Sequence, residues 1–222
     1  MCGRFAFFSP REAVQELFGV DCTVELKPHY NIAPTQLVAA LRAGQATSAE
    51  FAMLRWGLVP SWAKEPAIGN RLINARLETV AEKPAFRAAF RRRRCAVLAD
   101  GFYEWQQRAD GPKQPWFITA AAGGPFLMAG LWEHWDKGDV PLETCTLLTT
   151  EASGAMRAVH HRMPVILPPD ALDRWLGAAG SDEALAVLDS VVTTELHMQP
   201  VSRAVNSPAH DGADLIQPVD AA

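Results

Sequence analysis

The second residue of this 222-residue chain is Cys2, and Gly3 follows it. A small residue there generally permits removal of Met1, which would leave an α-amine and a thiol on one residue. Such a 1,2-aminothiol captures aldehydes: the amine condenses to an imine, and the thiol closes onto the same carbon as a five-membered thiazolidine. Gly3 leaves the backbone free to bring that terminus against a ligand. A second signal is Glu104, set between Tyr103 and Trp105 in Gly101-Phe102-Tyr103-Glu104-Trp105. A carboxylate between aromatics is partly desolvated, which raises its pKa toward a value useful in proton transfer. Asn74-Ala75-Arg76 and His160-His161-Arg162-Met163-Pro164 add an amide, two imidazoles and two guanidinia. Taken singly, each has a plain alternative. Glu104 reads equally as an ion-pair partner of an arginine, Asn74 as a turn residue, His160 as a cation closing a helix, and Trp56, Trp62 and Trp105 as core.

The elements that must position these groups follow from pattern. Ser9-Pro10-Arg11-Glu12 reads as a capping box, with Gly19 as the stop of a short helix whose Val14, Leu17 and Phe18 share a face. A hairpin is expected over 36–59, turning at Gly44–Ser48, and a helix over about 83–94. Strands follow at 95–99, 102–107, 115–121, 125–132 and 144–149. Helical patterns occupy 151–159, 168–177 and 181–191, before a last strand over 196–202. Segregated short strands with a few helices indicate one α+β domain, mainly antiparallel strands in a barrel-like sheet flanked by helices. Its expected extent is 1–206, with 207–222 a polar C-terminal tail.

Composition narrows the classes. Apolar residues make up 49% and charged residues 21% of the chain, as in soluble globular proteins. No apolar run reaches the roughly 18 residues of a membrane span, and no secretion signal is recognisable, so a cytoplasmic location is expected. Cysteines 2, 22, 95 and 145 show no metal-binding spacing. Free thiols are expected, with Cys22, Cys95 and Cys145 in the core and no metal. The net charge of −4 conceals a division, since residues 1–108 carry net +5 and residues 109–222 carry net −9. Most basic residues are arginine, which forks onto phosphate and stacks on bases, so an anionic partner is permitted.

Jointly the motifs resemble the SRAP family, named for an SOS-response-associated peptidase. The likeness runs from Cys2-Gly3-Arg4-Phe5 through Asn31-Ile32-Ala33-Pro34-Thr35, Trp56-Gly57-Leu58-Val59-Pro60, Asn74-Ala75-Arg76, Ala99–Trp105, Ala129-Gly130-Leu131-Trp132 and His160–Pro164. It ends near Val201–Asn206 and so covers nearly the whole chain. The resemblance implies a DNA-damage protein that senses abasic sites in single-stranded DNA and bonds to them through Cys2, shielding the lesion. It implies peptidase-like self-processing, lyase-like chemistry on abasic DNA and no cofactor. A monomer is expected. Four residues would be catalytic: Cys2 as nucleophile, Asn74 holding the terminus and the opened sugar, Glu104 assisting ring opening, and His160 as general acid/base. His161 occupies a place that the family varies. Arg4, Arg76 and Arg162 would contact phosphates, and Trp62 and Trp105 would stack on bases or wedge between them. Arg91–Arg94 is an additional basic cluster. Two other classes compete: an N-terminal-nucleophile hydrolase such as an amidotransferase, and a silent DNA- or protein-binding module.

Overall fold

A computed structural model describes residues 2–22, 24–44, 49–190 and 194–220. Two sheets share the molecule. In the first, β13 (Leu196–Pro200), β8 (Gln114–Ala120), β7 (Gly101–Gln106), β1 (Phe5–Phe7) and β2 (His29–Ile32) lie side by side in that order. Every pairing there is antiparallel. The second follows the path β11 (Arg162–Pro164), β10 (Leu142–Glu151), β4 (Ala49–Trp56), β3 (Leu37–Ala43), β6 (Arg94–Ala99), β9 (Phe126–Trp135) and β12 (Ile166–Leu167), with β5 (Asn74–Arg76) beside β10. Strand β9 also pairs with β10, from Leu142↔Trp135 to Leu147↔Gly130, so five strands close into a ring. The α+β expectation holds, and the barrel-like sheet takes the form of this ring. Two pairings, β10 with β4 and β10 with β5, are parallel.

The principal core is apolar and continuous, with Trp56, Trp175, Phe5 and Phe90 fully enclosed. Cys22, Cys95 and Cys145 are buried free thiols, as their apolar neighbours led one to expect. Among the described residues no helix is long and apolar enough to cross a membrane.

Local chemistry revises several expectations. Helix α1 (Arg11–Phe18) stops at Gly19, whose left-handed φ of 67° lets its N–H bond Gln15 O. No capping box forms at its start. Ser9 gives its hydroxyl to Asp100 instead, and Glu12 pairs with its neighbour Arg11. Asp100 also accepts from the Phe8 and Ser9 N–H groups, so this buried carboxylate, rather than the cap, fixes where the chain leaves β1. Helix α2 spans only Arg87–Arg92, because Arg94 already belongs to β6 and the pairing with β9 wins over helix propensity. The pattern at 151–159 becomes a 3₁₀ turn over Gly154–Ala158. Helix α3 is Leu172–Gly177 and α4 is Ser181–Ser190. The 36–59 hairpin forms as β3 and β4, although residues 45–48 of its turn lie outside the described residues.

The stretch after residue 206 is polar, yet it does not hang free. Asp211 Oδ1 accepts from the Tyr30 and Asn31 N–H groups at 2.6 and 2.8 Å. Leu215, on a 3₁₀ turn over Ala213–Ile216, is fully buried with Tyr103, Val201 and Val205. Val219 N–H bonds Pro200 O at 2.9 Å. One apolar anchor and one well-placed acceptor achieve what composition alone did not suggest. Leu215→Ala is expected to cost about 2–5 kcal/mol, the range for truncating a buried leucine. A urea unfolding midpoint equal to the parent's would show that this segment contributes nothing to stability.

Candidate active site

Cys2 sits just ahead of β1, and Phe5 pairs with both Ile32 of β2 and Phe102 of β7. This sandwiching anchors a terminus that would otherwise fray. Asn74 opens β5, which lies parallel to β10 with Asn74 opposite Leu147. Its Nδ2 donates to Cys2 O at 2.7 Å, which joins the end of the first sheet to the second. The other half of the amide, Oδ1, is buried and has no hydrogen-bond partner among the described residues. Trp56 steadies β5 from beneath, because its Nε1 donates to Ile73 O at 2.9 Å while its ring meets Phe5 edge-on at 5.1 Å. Trp56 is therefore core, as its plain reading had it. The Gly57 after it has φ 125°, and a side chain there would press within 2.7 Å of the Gly69 carbonyl. Much of this tryptophan motif thus serves packing.

Glu104 lies on β7 at 3% exposure. Burial pushes its carboxyl above the usual range, while the Trp105 backbone N–H and the charge of His161 pull it back. The same burial, reinforced by Glu104, pushes the Cys2 thiol well up, so sulfur is held as the neutral thiol at pH 7. His160 follows the Gly154–Ala158 turn, with its N–H bonded to Met156 O at 2.9 Å. Its Nδ1 is 3.0 Å from the Arg162 N–H, 3.1 Å from the Arg162 carbonyl and 4.0 Å from Glu104 Oε1. Burial is the first cause holding its pKa below the ordinary value, which leaves a neutral ring at pH 7. The carboxyl has moved up and the imidazole down, so each is shifted toward its neutral form. Gln106 was not singled out by the sequence. Its amide donates to Ala158 O at 3.0 Å and accepts from Trp116 Nε1 at 3.0 Å, tying the histidine turn to the strand of Glu104.

The remaining expected residues divide. Arg76 is exposed and lines a depression of about 500 Å³ with Arg157, His161, Arg162 and Glu151. His161 stacks on His160 at 4.3 Å, so this basic depression adjoins the site. Arg162 is buried and forks onto Glu78 at 2.7 and 2.9 Å. Arg4 turns inward, donating to Asn31 Oδ1 and Val205 O, both at 2.7 Å. Trp105 donates to Asn206 Oδ1 at 2.8 Å and is half-buried beside Glu104. Trp62 is 53% exposed and lines another depression, with Lys64 and Arg71. Removal of Met1 concerns a residue outside those described. No group of three or more His, Cys, Asp or Glu among the described residues is arranged to hold a metal ion.

Comparison with known proteins places the chain in a family. Residues 1–208 match the family described as SOS response associated peptidase (SRAP). The chain is 38% identical over 222 residues to the abasic site processing protein YoaM of Bacillus subtilis, covering 97% of each. It is 33% identical to the abasic site processing protein YedK of Escherichia coli, covering 99% of this chain and all of that one. The chicken abasic site processing protein HMCES is 34% identical and is covered over 67% of its length. Among solved structures, a Bacteroides thetaiotaomicron protein superposes with a TM-score of 0.86 at 23% identity over 98% of this chain and 100% of that one. A Bordetella bronchiseptica protein gives 0.79 at 27%, over 90% and 100% respectively.

Glu104 binds its proton more tightly in the folded chain than in the unfolded one. Its stability contribution is therefore present at acid pH and lost as pH rises. Glu104→Gln is expected to be stabilising at pH 7, with a gain in Tm that shrinks toward pH 4. Thermal melts across that range check this, and a Tm loss at pH 7 would make the carboxylate a structural partner instead.

Proposed function

Because the chain belongs to the SRAP family, we propose that it processes abasic sites in single-stranded DNA by bonding covalently to the lesion through Cys2. The observation that carries this reading is the Asn74 amide. One end fixes the carbonyl of Cys2, and the other presents a buried, unused acceptor. An unpaired buried acceptor costs roughly 1–3 kcal/mol, a cost that a hydroxyl of an opened sugar would relieve.

The chemistry balances without a cofactor. Loss of Met1 exposes the Cys2 amine. The protonated Glu104 carboxyl delivers its proton to the ring oxygen of the abasic deoxyribose, the bond from C1 to that oxygen breaks, and the anomeric hydroxyl gives up its proton to water, leaving the aldehyde. The amine adds and one water leaves, giving the imine. The thiol then adds to the imine carbon while its proton moves to the nitrogen through His160, closing the thiazolidine. Held neutral by burial, the thiol needs that base. Arg76 and the depression beside His161 take the neighbouring phosphates, and Arg162 exchanges the Glu78 carboxylate for phosphate as DNA arrives. Arg4 acts mainly through Asn31, holding the terminus in place. Trp105 stacks beside the sugar. A single strand presents the lesion without any unpairing.

Cys2→Ser is expected to abolish the stable crosslink to an abasic oligonucleotide, read by intact mass, while leaving affinity for undamaged single strands unchanged. A stable crosslink from that variant without a reductant would sink the thiazolidine. Glu104→Gln and His160→Ala should each slow crosslinking by about 10²–10⁴-fold, the usual worth of a positioned acid or base. On a substrate chemically held as the open aldehyde, Glu104→Gln should recover most of its rate and His160→Ala should not. An equal Glu104→Gln defect on both substrates removes ring opening from its role. Arg76→Ala should flatten the dependence of affinity on salt by about 0.7 in the log–log slope.

A further inference from the structure

The arginine run at 91–94 is divided by the fold into two kinds of residue. Arg94 is 4% exposed and spends its guanidinium on main-chain carbonyls: Trp175 O at 2.7 Å, Phe90 O at 2.8 Å, Arg91 O at 2.9 Å, and Ala178 O. It clamps the end of α2 to the end of α3. Arg93 pairs with Glu133 at 2.7 Å. Arg91 and Arg92, together with Arg87 one helical turn earlier, stay exposed, and none has an ion-pair partner among the described residues. With Arg93, Ala81 and Ser181 they line a depression of about 430 Å³. Carboxylates on the first turn of α4 offset part of this charge, but Glu183 is turned onto the Ala179 N–H at 2.6 Å. Guanidinia gathered around one hollow repel one another, and that cost is recovered when an anion enters.

Its position suggests which anion. Ala81 on the rim of this hollow is five residues from Arg76 on the rim of the depression at the active site. The connecting chain includes a 3₁₀ turn over Leu77–Thr79, and at about 2 Å per residue the two rims lie roughly 10 Å apart along it. That is a span of one or two nucleotides of extended single strand. We propose that the Arg87–Arg91–Arg92 hollow is a second phosphate-binding surface, which holds the sugar–phosphate backbone of DNA flanking the lesion. This inference rests on the reading of the site as one for abasic DNA, and it adds a partner contact remote from the reacting sugar. The surface would lengthen the footprint and raise affinity without altering the chemistry.

The test uses the full chain with Arg87, Arg91 and Arg92 all changed to Ala. All three are exposed, so folding is retained, which an unchanged Tm checks. Two abasic oligonucleotides are compared, each with the lesion central: one of three nucleotides, whose single flanking nucleotide falls short of the hollow, and one of twenty. Single-stranded contacts contribute about 0.7 each to the log–log salt slope, so loss of three should lower the slope on the long strand by about 2. Between 50 and 200 mM salt that reduces the loss of affinity about 16-fold. On the short strand, slope and crosslinking rate should equal the parent's. An unchanged slope on the long strand overturns the proposal, as does an equal loss on both strands. If the parent itself crosslinks neither oligonucleotide, the abasic-DNA reading fails instead, and the two failures are told apart by that control.

Discussion

Strand β10 is the member on which the architecture turns. It pairs with β9 over six residues, with β4 and β5 in parallel, and with β11 near its end. A side-chain period of two means that a slip of one residue would invert every face, so these shared pairings fix one register for all of them. Leu147 sets the height of Asn74, and Glu151 sets that of Arg162. The active site is assembled where this strand's neighbours meet the first sheet. There the amide of Asn74 reaches across to the Cys2 carbonyl.

Electrostatics at that junction follow from burial more than from charge pairing. The thiol, the carboxyl and the imidazole are all shifted first by desolvation, and all toward their neutral forms. A site of neutral groups suits the proposed substrate, an uncharged aldehyde carried on a charged backbone. Charge is placed outside it, on Arg76 and Arg157 around the adjoining depression.

How far the sequence was readable varies with the physics involved. The positions of β3, β4, β6 to β10 and β13 were clear from turn signals and β-branched or aromatic runs, whereas β1, β2, β5, β11 and β12, each of two to four residues, were not; the desolvation of Glu104 followed from its two aromatic neighbours. Helix ends were less clear. Ser9 satisfied every rule for a cap, but Asp100, ninety-one residues away, offered a better acceptor. Arg94 looked like one more surface charge in a run of four, since nothing local reveals that helix ends would bring it main-chain carbonyls. Gln106 carries no local signal at all, because its two partners come from distant segments. The segment after 206 reads as a polar tail on composition, and its single Leu215 is packed with Tyr103, Val201 and Val205. Each miss is a long-range contact made by a polar or isolated residue.

The network around Asn31 has a consequence for the order of events in the cell. Arg4 reaches the carbonyl of Val205, and Asn31 reaches those of Ser207 and His210, so the beginning of the chain is fastened by residues made almost last. At about 5–20 residues per second, translation leaves the first residues without these partners for roughly ten to forty seconds. During that interval an enzyme working on the nascent end can trim it before the fold closes over Cys2. The segment around Cys2 is thus reachable on the ribosome, and it is enclosed only once residues 205–210 have been made.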